Sequence, residues 1–254
     1  MIVNYNLTDK VALVTGASRG IGEKIAMALA EYGAKVIITN KNMDGLPEVE
    51  AAIKEAGGEA VAKVCHNGKV EEIKNLFDYI EATYGKLDIL VNNAGMNSYY
   101  GAIIDAPIDA WDKVIEVNLT GTLLMSQYAG KLMMKNTGGS IINVASVNGI
   151  SPPAMQGIYS ITKAGVIAMT KAFAKELAPN NIRVNALLPG LTATKFTSVM
   201  VENEELMEKY LLPQIPMHRV AEPEEMCGTV VFLASDAASY ITGTNIIVDG
   251  GLLA

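Results

Sequence analysis

The chain has 254 residues, half of them apolar and 19% charged, with 27 acidic side chains against 20 basic ones and a net charge of -7. That composition can fill a large core and excludes a disordered or fibrous chain. The acidic balance predicts no nucleic-acid partner, and with no uncharged apolar run of about 18 residues no membrane span is expected.

Val11–Thr15 (VALVT) has no polar alternation, which predicts a strand buried on both faces. Glu23–Tyr32 follows as a helix, with Ile25, Ala28 and Leu29 on one side. Lys35–Thr39 is a second buried strand and Ala60–Val64 a weaker third. Val70–Tyr84 places Ile73, Leu76, Phe77 and Ile80 at helical spacing. Leu87–Val91 is a fourth strand, and Asp109–Lys135 reads as one long helix. Ser140–Val144 is a fifth strand, Tyr159–Leu177 a second long helix and Ile182–Leu188 a sixth strand. Glu222–Ser235 is a helix with Pro223 in its first turn, and Asn245–Val248 a seventh strand. Alternating strands and helices predict parallel strands joined by crossovers. The expectation is one α/β domain over 1–254: a doubly wound seven-stranded parallel sheet with helices on both faces. The Pro-containing, polar segment 192–219 is expected to be a lid over the site. Met1–Lys10 has no basic and apolar leader pattern. Cys65 and Cys227 lie outside any CxxC and are expected as reduced thiols in the cytoplasm.

Thr15-Gly16-Ala17-Ser18-Arg19-Gly20-Ile21-Gly22 lies between the first strand and the first helix. Glycines there permit a tight turn and close approach of main chain to a pyrophosphate, with the helix N-terminus facing the anion. The spacing is G-x-x-x-G-x-G rather than G-x-G-x-x-G. An acid closing the second strand would bind a ribose 2′-hydroxyl, whereas a basic residue accommodates a 2′-phosphate. Here Asn40 and Lys41 occupy those positions, with Arg19 in the phosphate loop. The expected cofactor is therefore NADP(H), with NAD(H) as the alternative. Asp44, further along the loop, is a competing acid.

Tyr159-Ser160-Ile161-Thr162-Lys163 sets a tyrosine and a lysine on one helix face. Free tyrosine, with a pKa of about 10, is ~0.1% ionised at pH 7. A cation alongside lowers such a pKa by roughly 1–3, which would equip it for proton transfer. Around this pair the chain resembles the short-chain dehydrogenase/reductase family over residues 7–252. The matching segments are TGASRGIG (15–22), NNAG (92–95), Asn118 in EVNLTG, Ser146 in INVASVNG, YSITK (159–163) and NIRVNALLPGLTAT (181–194).

The resemblance implies a single-domain Rossmann fold and a set of roles. Tyr159 is the general acid/base. Lys163 lowers its pKa and holds the nicotinamide ribose. Ser146 binds the substrate oxygen, and Asn118 holds a water linking Lys163 to solvent. Gly16, Ser18, Arg19, Gly20, Ile21, Gly22, Asn40 and Lys41 would cradle the phosphates and adenosine. Asn92, Ala94 and Gly95 would line the cofactor. Pro189, Gly190, Thr192 and Thr194 would embrace the nicotinamide. The family often carries an Asp after the third strand; this chain has Cys65-His66-Asn67, where Asn67 or His66 would be the adenine contact. The run CHNGK resembles that of NADPH-dependent carbonyl reductases in the family. His66 and His218 lack metal-ligand spacing, so no metal is expected.

Met96–Gly101, Val147–Gly157 and Leu191–Met217 would shape the substrate pocket, with an apolar, Met-rich lining. The expectation is an oxidoreductase moving a hydride between a nicotinamide and a secondary alcohol or ketone with an apolar body. The alternatives are an NAD-dependent hydroxyacyl or alcohol dehydrogenase, and a non-catalytic nucleotide-binding regulator. An epimerase or dehydratase on a related fold is disfavoured by length. Helices Asp109–Lys135 and Tyr159–Leu177 carry apolar residues on more than one face, and the family's tetramers imply a homotetramer.

Overall fold

The computed structural model describes residues 3–254. Seven strands form one sheet: β1 (Val11–Thr15), β2 (Lys35–Asn40), β3 (Glu59–Val64), β4 (Ile89–Asn92), β5 (Gly139–Val144), β6 (Ile182–Pro189) and β7 (Asn245–Val248). Their order is β3-β2-β1-β4-β5-β6-β7, and every pairing is parallel. The helices are α1 (Gly20–Glu31), α2 (Leu46–Glu55), α3 (Val70–Tyr84), α4 (Ile108–Ile115), α5 (Gly121–Met134), α6 (Gly157–Leu177), the short α7 (Ser198–Val201) and α8 (Glu204–Leu206), and α9 (Cys227–Ala234).

The unbroken apolarity of VALVT follows from the layers. Ala12 and Val14 pack into the core shared with α1, α2 and α9, and Val11 and Leu13 into the opposite core with α3 and α5. A strand covered on both sides is apolar along its length, and the one polar residue of β1, Thr15, stands at its C-terminal end where the crevice opens. The chain leaves β1 outward to β2 and β3, then returns to place β4 against the other edge of β1. At that reversal, crossovers run to opposite sides and open a crevice at the strands' C-terminal ends.

Three elements differ from the sequence reading. Glu222–Ser235 opens as a 3-10 turn, Pro223–Met226, before α9. Leu46–Glu55 is a helix that the reading leaves unnamed; it buries Leu46, Val49 and Ile53 and carries Pro47 in its first turn. Helix Asp109–Lys135 is not continuous: a wider π-turn, Glu116–Thr120, separates α4 from α5. Such turns aim one residue out of the regular helical register and cluster at functional sites. Here Asn118 lies in the turn, 1% exposed.

At the far end of the sheet, buried Asp88 accepts a hydrogen bond from Val11 N–H (2.8 Å) and pairs with Lys86 (2.9 Å). Among the described residues no helix is long and apolar enough to cross a membrane. Because Asp88 stands remote from the crevice, Asp88→Ala is expected to orphan Val11 N–H and lower unfolding stability by about 1–3 kcal/mol without weakening cofactor binding. Chemical denaturation and cofactor titration check both parts; an unchanged denaturation midpoint contradicts the role.

Candidate active site

The loop after β1 is held open by glycine. Gly16 and Gly20 have φ of +63° and +60°, the left-handed region that glycine enters without steric cost. A Cβ on Gly22 would lie 2.3 Å from Asn93 Nδ2 and 2.4 Å from the Gly16 carbonyl oxygen, so helix and loop meet without space for a methyl. Arg19 precedes α1 with no side-chain cap on the first turn. The α1 amide donors therefore face the crevice free of side-chain acceptors, a cradle for an anionic group.

Asn93 ties this loop to β4. Its side-chain amide donates to the carbonyls of Thr15 and Gly16, both at 3.0 Å. Thr15 Oγ1 accepts from the N–H groups of Asn93 (3.1 Å) and Ala94 (3.0 Å). Asn93 is absent from the sequence-derived set, although it lies inside the quoted NNAG. Its neighbour Asn92 turns the other way, donating to Ser126 Oγ (3.0 Å) and Asn143 Oδ1 (2.8 Å) in a buried polar ladder that continues to Thr170.

Asn40 ends β2, and its amide donates to Asn42. A Cβ on Gly45 would lie 2.5 Å from the Ser18 carbonyl oxygen, so the loop after β2 touches the phosphate loop. Arg19 and Lys41, both exposed, stand on these two touching loops. Neither has an ion-pair partner among the described residues. Buried Asn67 has a side-chain nitrogen with no hydrogen-bond partner. An orphaned buried donor on the adenosine side, with an uncapped α1 N-terminus, fits a dinucleotide.

On the reacting side, Ser146 follows β5, and its Oγ accepts from Asn148 N–H (3.1 Å), leaving its own proton to donate. Tyr159 and Lys163 lie one turn apart on α6, with the Lys163 nitrogen 5.5 Å from the tyrosine ring centroid. Lys163 is 4% exposed and donates to the Val144 carbonyl (2.8 Å). Burial lowers its pKa to about 8. Burial also raises the Tyr159 phenol well above the ordinary tyrosine value, while hydrogen bonding from Ser146 draws it back. The group that favours the phenolate in the free protein is thus Ser146.

Asn118 is locked in place. Its Oδ1 accepts from Met96 N–H (2.8 Å), and its Nδ2 donates to the Met96 carbonyl (2.9 Å) and Thr162 Oγ1 (3.1 Å). A methyl on Gly95 would lie 3.6 Å from both Asn118 Oδ1 and Lys163 Nζ, which brings the NNAG, Asn118 and YSITK segments together. Gly190 packs against Asp249, where a Cβ would come 2.7 Å from the Asp249 Cα. Thr192 pairs with Ala221 and closes the base of the segment between them. Thr194 lies over the phosphate loop, 3.3 Å from the place of a Cβ on Gly20. Phe196 covers Tyr159, ring centroids 5.6 Å apart. The 192–219 segment therefore reaches both ends of the crevice.

With this geometry in hand, similarity to known proteins is informative. A family model described as enoyl-(acyl carrier protein) reductase matches residues 16–253. The chain is 40% identical to dehydrogenase/reductase SDR family member 4 of Sus scrofa, over 96% of this chain and 88% of that protein. It is 42% identical to a 3-oxoacyl-[acyl-carrier-protein] reductase of Synechocystis sp., over 97% and 98%. A crystal structure of a gluconate 5-dehydrogenase from Burkholderia cenocepacia, in complex with NADP and tartrate, superposes with a TM-score of 0.94 at 31% identity, covering 98% and 97%. The chain belongs to the short-chain dehydrogenase/reductase family, the NAD(P)-dependent oxidoreductases that interconvert CH–OH and C=O groups.

Proposed function

We propose that the chain is an NADPH-dependent reductase of ketones with an apolar body, with Tyr159, Ser146 and Lys163 carrying the chemistry. The observation that supports this best is the meeting of the Tyr159 phenol, the Ser146 hydroxyl and the Lys163 ammonium beneath Phe196. The reduced nicotinamide, when bound, supplies the hydride. Ser146 donates its free proton to the carbonyl oxygen and stabilises the charge developing there. Tyr159, kept protonated by burial, delivers the proton that completes the alcohol. Lys163 balances the phenolate left behind. Asn118 acts by position: two of its bonds fix the Met96 main chain beside Lys163, and the third ties it to Thr162 on α6.

The pocket's three loops contribute Tyr100, Met155, Phe196 and Met200, a lining suited to an alkyl or aryl ketone. The two unpaired thiols accord with a cytoplasmic location. NADPH preference is supported by Arg19 and Lys41, free cations on loops in contact. No carboxylate stands at position 40 to repel a 2′-phosphate. A homotetramer is supported by α6, whose Ile161, Ala164, Ala168 and Ala172 form an exposed apolar stripe at helical spacing.

Three measurements check this reading. Tyr159→Phe keeps the ring and removes the proton, so turnover on a panel of alkyl and aryl ketones should fall at least ~10²-fold with cofactor affinity retained; near-normal turnover contradicts the role. Each charge-assisted contact contributes about 1.5–3 kcal/mol, so Arg19→Ala and Lys41→Ala should each weaken NADPH binding roughly ten-fold or more while sparing NADH. Tighter binding of NADH by the unmodified protein contradicts the preference. Sedimentation should give four times the 27.0 kDa chain; a monomer alone at micromolar concentration contradicts the assembly.

A further inference from the structure

The three loops around the substrate pocket converge on Gln156. Through its backbone this residue pairs with Gly101 of the first loop. Its side-chain Oε1 accepts from Asn148 Nδ2 (3.1 Å) in the second, and its Nε2 donates to the Met200 sulfur (3.8 Å) in the third. Gln156 also sits at the N-cap of α6, three residues before Tyr159, yet its side chain makes no capping bond to that helix. The amide is directed instead between the loops.

Two further features bear on it. Met155, immediately before Gln156, has φ of +69°, a conformation rare for a bulky side chain. The Met155 carbonyl accepts from Gly101 N–H (3.0 Å), so the strained residue is held by the same pairing. Strain of this kind persists only where its surroundings impose it, and it gathers at functional sites. On the other side, Asn148 is the residue whose main-chain N–H occupies a lone pair of Ser146 Oγ. A continuous chain of bonds therefore runs from Met200 in the lid, through the Gln156 and Asn148 side chains, to the hydroxyl facing the phenol.

We propose that Gln156 is a positioning residue that couples seating of the 192–219 lid to the orientation of Ser146. Its Met200 arm holds the lid over the substrate. Its Asn148 arm holds the loop that orients Ser146, so the hydroxyl proton stays directed at the carbonyl oxygen. This rests on the reading of Ser146 and Tyr159 given above.

The two arms predict different kinetic losses. Met200→Leu keeps the apolar volume and removes the sulfur acceptor; it should raise the ketone KM about three- to ten-fold, a coupling of ordinary size, and leave kcat near normal. Asn148→Ala should lower kcat about ten-fold or more, as small misplacements of a reacting group do, with KM little changed. Gln156→Ala should show both losses, and adding Met200→Leu to it should raise KM no further. NADPH affinity, read by fluorescence titration, should be unchanged in all four variants. Hydrogen exchange of the amides of residues 197–207, measured without cofactor or substrate, should accelerate in Gln156→Ala and not in Asn148→Ala. Normal kinetics and normal lid exchange in Gln156→Ala overturn the proposal, as does a KM that rises additively in the double variant. Tyr159→Phe keeps the two questions apart. If that variant retains turnover, the catalytic reading falls, and lid exchange alone decides whether Gln156 holds the lid.

Discussion

Holding a buried lysine beside a half-buried tyrosine is the constraint around which this site is built. Each group is neutral when buried at least cost, so the same surroundings press the ammonium down and the phenol up. The protein compensates with a few directed bonds. The Val144 carbonyl accepts a hydrogen bond from Lys163, and Ser146 faces the phenol. The residues that make those bonds stand at the ends of β5 and α6, elements whose register the sheet core sets. A desolvated phenol that keeps its proton is the right starting state for protonating an alkoxide as it forms.

The sheet supplies the place and the glycines supply the access. Parallel strands with apolar faces on both sides cannot carry the chemistry themselves, so it collects where they end. Gly16, Gly22 and Gly45 let the loops after β1 and β2 approach one another and β4 more closely than any side chain would allow. That contact brings Arg19 and Lys41 to touching loops, although 22 positions separate them in the chain. Asn93 then fastens the phosphate loop to β4 through two carbonyls.

Much of this was legible in the sequence because each strand is a short, continuous apolar run and each major helix has an apolar stripe. Helix α2 was not: a glycine stands at its N-cap where Ser, Thr or Asp would announce a start. Pro47 at its start and the spacing of Leu46, Val49 and Ile53 were its signals. The π-turn at Asn118 carries no side-chain signature, because its cause is tertiary: Asn118 is drawn to Met96 and Thr162. The motif residues follow from their order along the chain, yet the division of labour between Asn92, at the end of β4, and Asn93, just beyond it, depends on where each side chain turns. Gln156 was hidden for the same reason. Its side-chain partners, Asn148 at the far end of its own loop and Met200 in another, meet it only in the folded chain.

Burial lowers the Lys163 pKa to about 8 in the free protein, far below an ordinary lysine. In the proposed reaction the ammonium, present below that pH, balances the phenolate formed as Tyr159 gives up its proton. Above it that charge is gone, while the phenol is still protonated. The most direct test is the pH dependence of kcat/KM for NADPH in ketone reduction, which reports groups of the free enzyme. The account predicts a decline as the pH rises through about 8. A profile that stays level up to the ordinary lysine range, near pH 10.4, would contradict it.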